Sequence, residues 1–150
     1  MTTSRVLASL ALAGLIAAVP ALQAADTHTK GPDVAQVSQG KEIQLSDYVV
    51  PGKTTIFDFS SDYCGPCRTY TDPLANLHAK RSDVAVVRVD INRPGVRGID
   101  WKSPVAREFS LESIPHFKVY GPDGKLKAED GPESSAARQI VDQMIGQLGQ

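Results

Sequence analysis

The two cysteines of this 150-residue chain stand three apart, in Tyr63-Cys64-Gly65-Pro66-Cys67. Thiols at i and i+3 in the first turn of a helix face the same way, about 5–6 Å apart at Cβ, within reach of a disulfide. A bond closing so short a loop removes little entropy from the unfolded chain. It is a poor staple and a good bond to make and break. The flanking residues supply the frame such a pair needs. Thr54 to Phe59 is β-branched and aromatic, with bulky apolar residues on both faces, and predicts a central strand. Pro66 suits a first helical turn, where its missing N–H costs nothing. Tyr70, Leu74 and Leu77 then recur at i, i+4 and i+7, with Pro73 inside the pattern as an expected kink. Val84 to Ile91 is a second near-continuous β-branched run, completing a βαβ unit.

Other uses of the pair are weaker. A zinc site wants four ligands, and His28, His78 and His116 lie far apart in sequence. An iron–sulfur cluster needs more thiolates, and haem attachment needs a His where Arg68 stands. No resident metal or other cofactor is expected. A structural disulfide remains open, as does a soft-metal (Cu or Zn) binding or delivery site built from Cys64, Cys67 and His116. The Gly-Pro insert and the preceding strand favour redox chemistry.

Asp58 is out of place in its apolar strand. A carboxylate desolvated there has a raised pKa unless paired, and it lies six residues before Cys64, where it could sit beneath the thiols. Arg88 in the second strand is a candidate neighbour.

Residues 1–24 have the layout of a secretory signal peptide. Arg5 precedes an uncharged run from Val6 to Val19, and Pro20 and Leu22-Gln23-Ala24-Ala25 follow, with cleavage expected after Ala24 or Ala25. The run is shorter than the roughly 20 residues of a spanning helix, which disfavours an uncleaved membrane anchor. Residues 25–42 are polar and predict a flexible leader; 43–150 form one domain. A formal net charge of -1 offers no field for nucleic acid.

Elsewhere, Ile43 and Leu45 alternate as an edge strand. Asn92 to Trp101 is loop, and Ser103-Pro104 starts a short helix, with Trp101 expected to cover it. Ile114-Pro115 opens a strand from His116 to Tyr120. Pro122-Asp123-Gly124 turns it back as Lys125 to Glu129, with Leu126 and Ala128 facing inward. Pro132 opens a last helix whose apolar face is Ala136, Ala137, Ile140, Val141, Met144, Ile145 and Leu148.

This order, with Cys-Gly-Pro-Cys opening the first helix, resembles the thioredoxin superfamily over roughly Ile43 to Leu148. The signal peptide, the leader and Pro51-Gly52-Lys53 look like the exported TlpA-type thioredoxin-like proteins of bacteria. The resemblance implies an α/β thioredoxin-like fold, a central mixed sheet flanked by helices in three layers. It implies a periplasmic protein-disulfide oxidoreductase, most simply a reductase, with an oxidase or isomerase as the alternative. Cys64 would be the exposed nucleophile, Cys67 the buried resolving thiol and Asp58 its proton acceptor. Pro115 would be the cis-proline lining the substrate groove. Gly65, Pro66, Tyr63 (where the family has Trp) and His116 (where it has Thr or Val) would tune the potential. An imidazolium at His116 near Cys64 would make the pair more oxidising; a side chain turned to solvent would not. Partners would be disulfide-containing exported proteins and a membrane electron donor, with the chain itself a monomer.

Overall fold

The computed structural model describes residues 28–149; the signal-peptide reading of residues 1–24 lies outside them. Six strands form a mixed sheet in the order β1-β3-β2-β4-β5-β6. These are β1 (Ala35–Val37), β2 (Thr54–Ser60), β3 (Val84–Asp90), β4 (His116–Tyr120), β5 (Leu126–Gly131) and β6 (Ser134–Ser135). β1 and β2 run parallel to β3, while β4 and β5 are antiparallel to their neighbours. The helices are α1 (Gly65–Lys80), α2 (Pro104–Glu108) and α3 (Ala136–Gly146).

Side chains of β2 and β3 alternate between two cores. Phe57, Phe59, Val87 and Val89 pack with Leu45, Val105, Ala106 and Leu111 under α2. Ile56, Val84, Val86, Phe117 and Val119 pack against Leu74 and Leu77 of α1 and Ala137 and Val141 of α3. The result is the expected three-layer α/β/α arrangement. Each fully buried Phe, Ile or Val contributes about 1.5–3 kcal/mol, which is why the two dense β-branched runs sit at the centre. Ser103 caps α2 by accepting the N–H of Ala106 through its hydroxyl, as its position predicts. Pro73 lies within one continuous helix.

Four expectations change. The edge strand is Ala35–Val37, inside the segment predicted to be a leader, while Leu45–Tyr48 is a 3-10 turn. Leu45 and Tyr48, three apart, share a face of that turn and pack on the α2-side core. The stretch before β1 is also tied down. His78 accepts the Val86 N–H at Nδ1 (3.0 Å), so its Nε2 carries the proton and donates to the Gly31 carbonyl (3.0 Å). Lys30 donates to the carbonyls of His78 and Arg81. Leu126 is 45% exposed rather than inward, because it begins β5 beside the register irregularity at Val119/Tyr120. The last helix starts at Ala136, not Pro132, because Ser134–Ser135 first pair back onto Asp130 and Gly131. Trp101 is 40% exposed rather than packed over α2.

Gly40 occupies a position closed to other residues. Its φ is +78°, and a Cβ there would meet the Arg93 backbone at 2.6 Å. Its N–H donates to the Asp90 carbonyl, and the Val105 N–H reaches its own carbonyl. It fastens the chain after β1 to the end of β3 and to α2.

Candidate active site

β2 ends at Ser60, and four residues carry the chain into α1. Ser61 folds this turn. Its carbonyl accepts the Cys64 N–H (3.0 Å) and its hydroxyl the Tyr63 N–H (3.2 Å). Cys64 is the N-cap of α1, and its Sγ accepts the Cys67 N–H at 3.1 Å. The two sulfurs are bonded, with 5.3 Å between Cα atoms. A sulfur that receives a backbone N–H at a helix N-terminus is a stabilised thiolate once reduced.

The disulfide is closed in on the β4 side. The Ile114–Pro115 peptide bond is cis, as the resemblance implies. The Ile114 carbonyl lies 3.6 Å from Cys64 Sγ. Cys64 is only 2% exposed, against the expectation of an exposed nucleophile, because the bond turns its sulfur toward Cys67 and beneath that carbonyl. Tyr63 is 52% exposed at the rim. It borders a cavity of about 270 Å³ with Asp62, Asn92 and Pro94, the side of the site walled by the long loop after β3.

Asp58 lies on the α1 side of β2, in the same register as Arg88. It is 4% exposed, and its Oδ1 has no hydrogen-bond partner. Burial pushes its carboxyl up to about 7, against Arg88 and the Ser60 hydroxyl, which pull it down. Arg88 is therefore a neighbour and not a salt-bridge partner. Its guanidinium turns away to Ser60 Oγ (2.8 Å) and Asp62 Oδ1 (2.7 Å). A cavity of about 310 Å³ beside Cys67 and a cleft of about 170 Å³ over Asp58 share Thr71 and Arg88 in their walls. The resolving sulfur and the carboxyl thus open onto neighbouring spaces.

His116 is neither an imidazolium beside Cys64 nor a solvent-facing side chain. It is buried, edge-on to Phe59 with 5.6 Å between ring centroids, and its Nε2 is unpartnered. Burial and then Lys118 hold it below its ordinary 6.5, with Asp130 and Glu129 opposing, so it is neutral at pH 7. Among the described residues no three His, Cys, Asp or Glu side chains cluster as a metal site requires, so the structure does not assemble Cys64, Cys67 and His116 for a soft metal.

Two residues that sequence reasoning missed hold the cis-proline loop. Arg138 of α3 donates to the Pro115 carbonyl. Buried Asp130 accepts the Phe117 N–H (3.1 Å) with one oxygen and the Arg138 N–H (3.0 Å) with the other. It thereby ties β4 to the start of α3. Its one visible signal is a second carboxylate in a strand that has to pack.

The thioredoxin family profile matches residues 37–145. The chain belongs to the thioredoxin family. It is 35% identical over 68 residues to an H-type thioredoxin of Fagopyrum esculentum, a match covering 45% of this chain and 52% of that one. The chain thus spans about half the length of that relative. With a thioredoxin of Mycolicibacterium smegmatis it shares 26% over 113 residues, 73% of this chain and 96% of that one. Its fold is similar to that of spinach chloroplast thioredoxin f (TM-score 0.51, 16% identity, 83% and 100% of the two chains). It is also similar to that of thioredoxin from Trypanosoma brucei brucei (TM-score 0.52, 18% identity, 79% and 94%). Family and cysteine pair together support a protein-disulfide oxidoreductase.

Proposed function

We propose that this chain is an exported reductase of protein disulfides, working in the periplasm through Cys64 and Cys67. The observation that carries the reading is the vicinal pair itself: Cys64 Sγ at the α1 N-terminus, receiving the Cys67 N–H, with an ionisable carboxyl buried behind. Export is supported by the composition of residues 1–24. No helix among the described residues is long and apolar enough to cross a membrane.

In the reduced protein, Cys64 is the nucleophilic thiolate. It attacks one sulfur of a substrate disulfide; a Cys64–substrate bond forms, and the other substrate sulfur leaves with the electron pair. Cys67 then loses its proton to Asp58 and attacks Cys64 Sγ. The Cys64–Cys67 bond forms, the second substrate thiolate is released, and two electrons have passed to the substrate. The edge presented by the Ile114–Pro115 backbone receives an extended substrate segment by strand addition. Each turnover leaves the pair oxidised, so a donor of two electrons must recharge it. For an exported protein that donor sits in the membrane. Its clients are exported proteins that carry disulfides, and it acts as a monomer.

The test is the reduction potential against glutathione or dithiothreitol buffers, with turnover in insulin reduction. A potential near −250 mV or below is expected, as for thioredoxin at about −270 mV, with activity abolished by Cys64→Ser. A potential above about −180 mV would instead assign an oxidase or isomerase.

A further inference from the structure

Asp58, Arg88 and Gln36 stand in one register across three adjacent strands: Asp58 pairs with Arg88, and Arg88 with Gln36. All three face α1, since Ile56, Val86 and Val34, two residues before each, pack on the core under that helix. A polar row therefore runs from the buried carboxyl at the sheet centre to the sheet edge. The cleft of about 170 Å³ over it is lined by Gln36, Thr71 and Ala75 as well as by Asp58 and Arg88. Gln36, Thr71 and Ala75 are exposed at its mouth, while Asp58 forms its floor with Oδ1 unpartnered. The space has room for several waters at about 30 Å³ each, with the polar partners that water requires.

We propose that this cleft is the outlet through which Asp58 exchanges its proton with solvent, with Gln36 and Thr71 as positioning residues for the water that carries it. The proposal rests on the redox reading above. In the resolving step the Cys67 S–H bond breaks and the proton passes to the Asp58 carboxylate. The Cys67 thiolate forms the Cys64–Cys67 bond, and the substrate thiolate leaves. Asp58 is left protonated and sheds that proton to solvent, while the donor that recharges the pair supplies the proton that Cys67 regains. Hydration of its free oxygen gives a path that leads past Thr71 and Gln36 into solvent. The N-terminal strand, remote in sequence from the cysteines, thereby becomes part of the proton path.

The charged groups facing Asp58 are few. β3 presents Arg88, committed to Ser60 and Asp62, and Asp90, whose Oδ2 receives the Gln36 amide at 3.5 Å. α1 turns Thr71, Leu74 and Ala75 to the cleft, with Arg68 in the neighbouring cavity. β2 offers the Ser60 hydroxyl, and β4 sets Phe117 opposite. Gln36 is the neutral group at the mouth, and a charge placed there stands in the cleft and beside Asp90.

The experiment follows Asp58 in the oxidised full chain by carboxyl NMR titration, alongside the pH profile of insulin reduction. Gln36→Glu places a carboxylate in the cleft and is expected to raise the Asp58 midpoint by about one unit. The acid limb of the activity profile should move with it. Thr71→Val is expected to raise the midpoint as well. Gln44→Glu adds the same charge to an exposed position outside the cleft and should shift neither. An Asp58 midpoint unmoved by Gln36→Glu, or moved equally by Gln44→Glu, overturns the proposal. The titration does not depend on turnover, so loss of insulin reduction in the wild type would count against the redox reading and not against the outlet.

Discussion

Replacing Asp58 by Asn should make the protein more stable, and by an amount that depends on pH. Asp58 is almost wholly buried, and its carboxyl is held at about 7 instead of the ordinary 3.8, chiefly by desolvation. Below about pH 3.8 the carboxyl is protonated in both folded and unfolded chains and has no effect on the balance. From 3.8 to about 7 the unfolded chain has released its proton while the folded chain keeps it. The unfolded state therefore gains, and stability falls as pH rises. Above about 7 both states are ionised and the penalty stays constant. At 1.36 kcal/mol per pH unit, the full penalty is about 4 kcal/mol. About 3 kcal/mol of it develops between pH 5 and pH 8. The attraction of the ionised carboxylate to Arg88 is already contained in that value of about 7, which it lowers, so it needs no separate allowance. The assay is urea unfolding of oxidised wild type and Asp58→Asn at those two pH values. The advantage of the variant should grow by about 3 kcal/mol from pH 5 to pH 8. A difference flat to within about 0.5 kcal/mol would mean that Asp58 is not a desolvated acid in the folded protein.

Three further outcomes are expected. Phe57 is fully buried between β3 and the α2-side core, so Phe57→Ala should cost about 3–5 kcal/mol, read as a lower urea midpoint with unchanged slope. Ser103→Ala removes the hydroxyl that accepts the Ala106 N–H and should cost about 1 kcal/mol, measured the same way. His116→Thr should leave the reduction potential at pH 7 unchanged, because the buried imidazole is neutral there, while lowering stability through loss of the edge contact with Phe59; a more reducing potential would restore the imidazolium reading.

Much of the site was legible because its parts are dense in chemistry and close together in sequence. The cysteine pair and the acid in an apolar strand each break a local rule in a way that only a special environment repairs, and the proline marks the first turn of the helix that carries the pair. The central strands were legible for a related reason. Ile56 to Phe59 and Val84 to Val89 are apolar on both faces, and only a sheet covered on both sides satisfies such a run. His116 was not legible. Its alternation predicts two faces equally well, and burial against Phe59 depends on which residue of β2 lies opposite.

β1 shows the limit more sharply. Ala35-Gln36-Val37 is three residues long, with a polar residue between two small apolar ones, and nothing in that pattern distinguishes a strand from a linker. What makes it a strand is the parallel ladder to Val87, Arg88 and Val89, helped by His78 and Lys30 fastening the preceding residues and by Gly40 fastening the following ones. The same long-range pairing sets Gln36 in line with Arg88 and Asp58. Local pattern is enough to find a buried acid, because the anomaly belongs to one residue. The environment that determines how that acid titrates belongs to the register between strands. It comes into view only when residues some twenty to fifty positions apart are placed side by side, as Asp58 and Gln36 are on either side of Arg88.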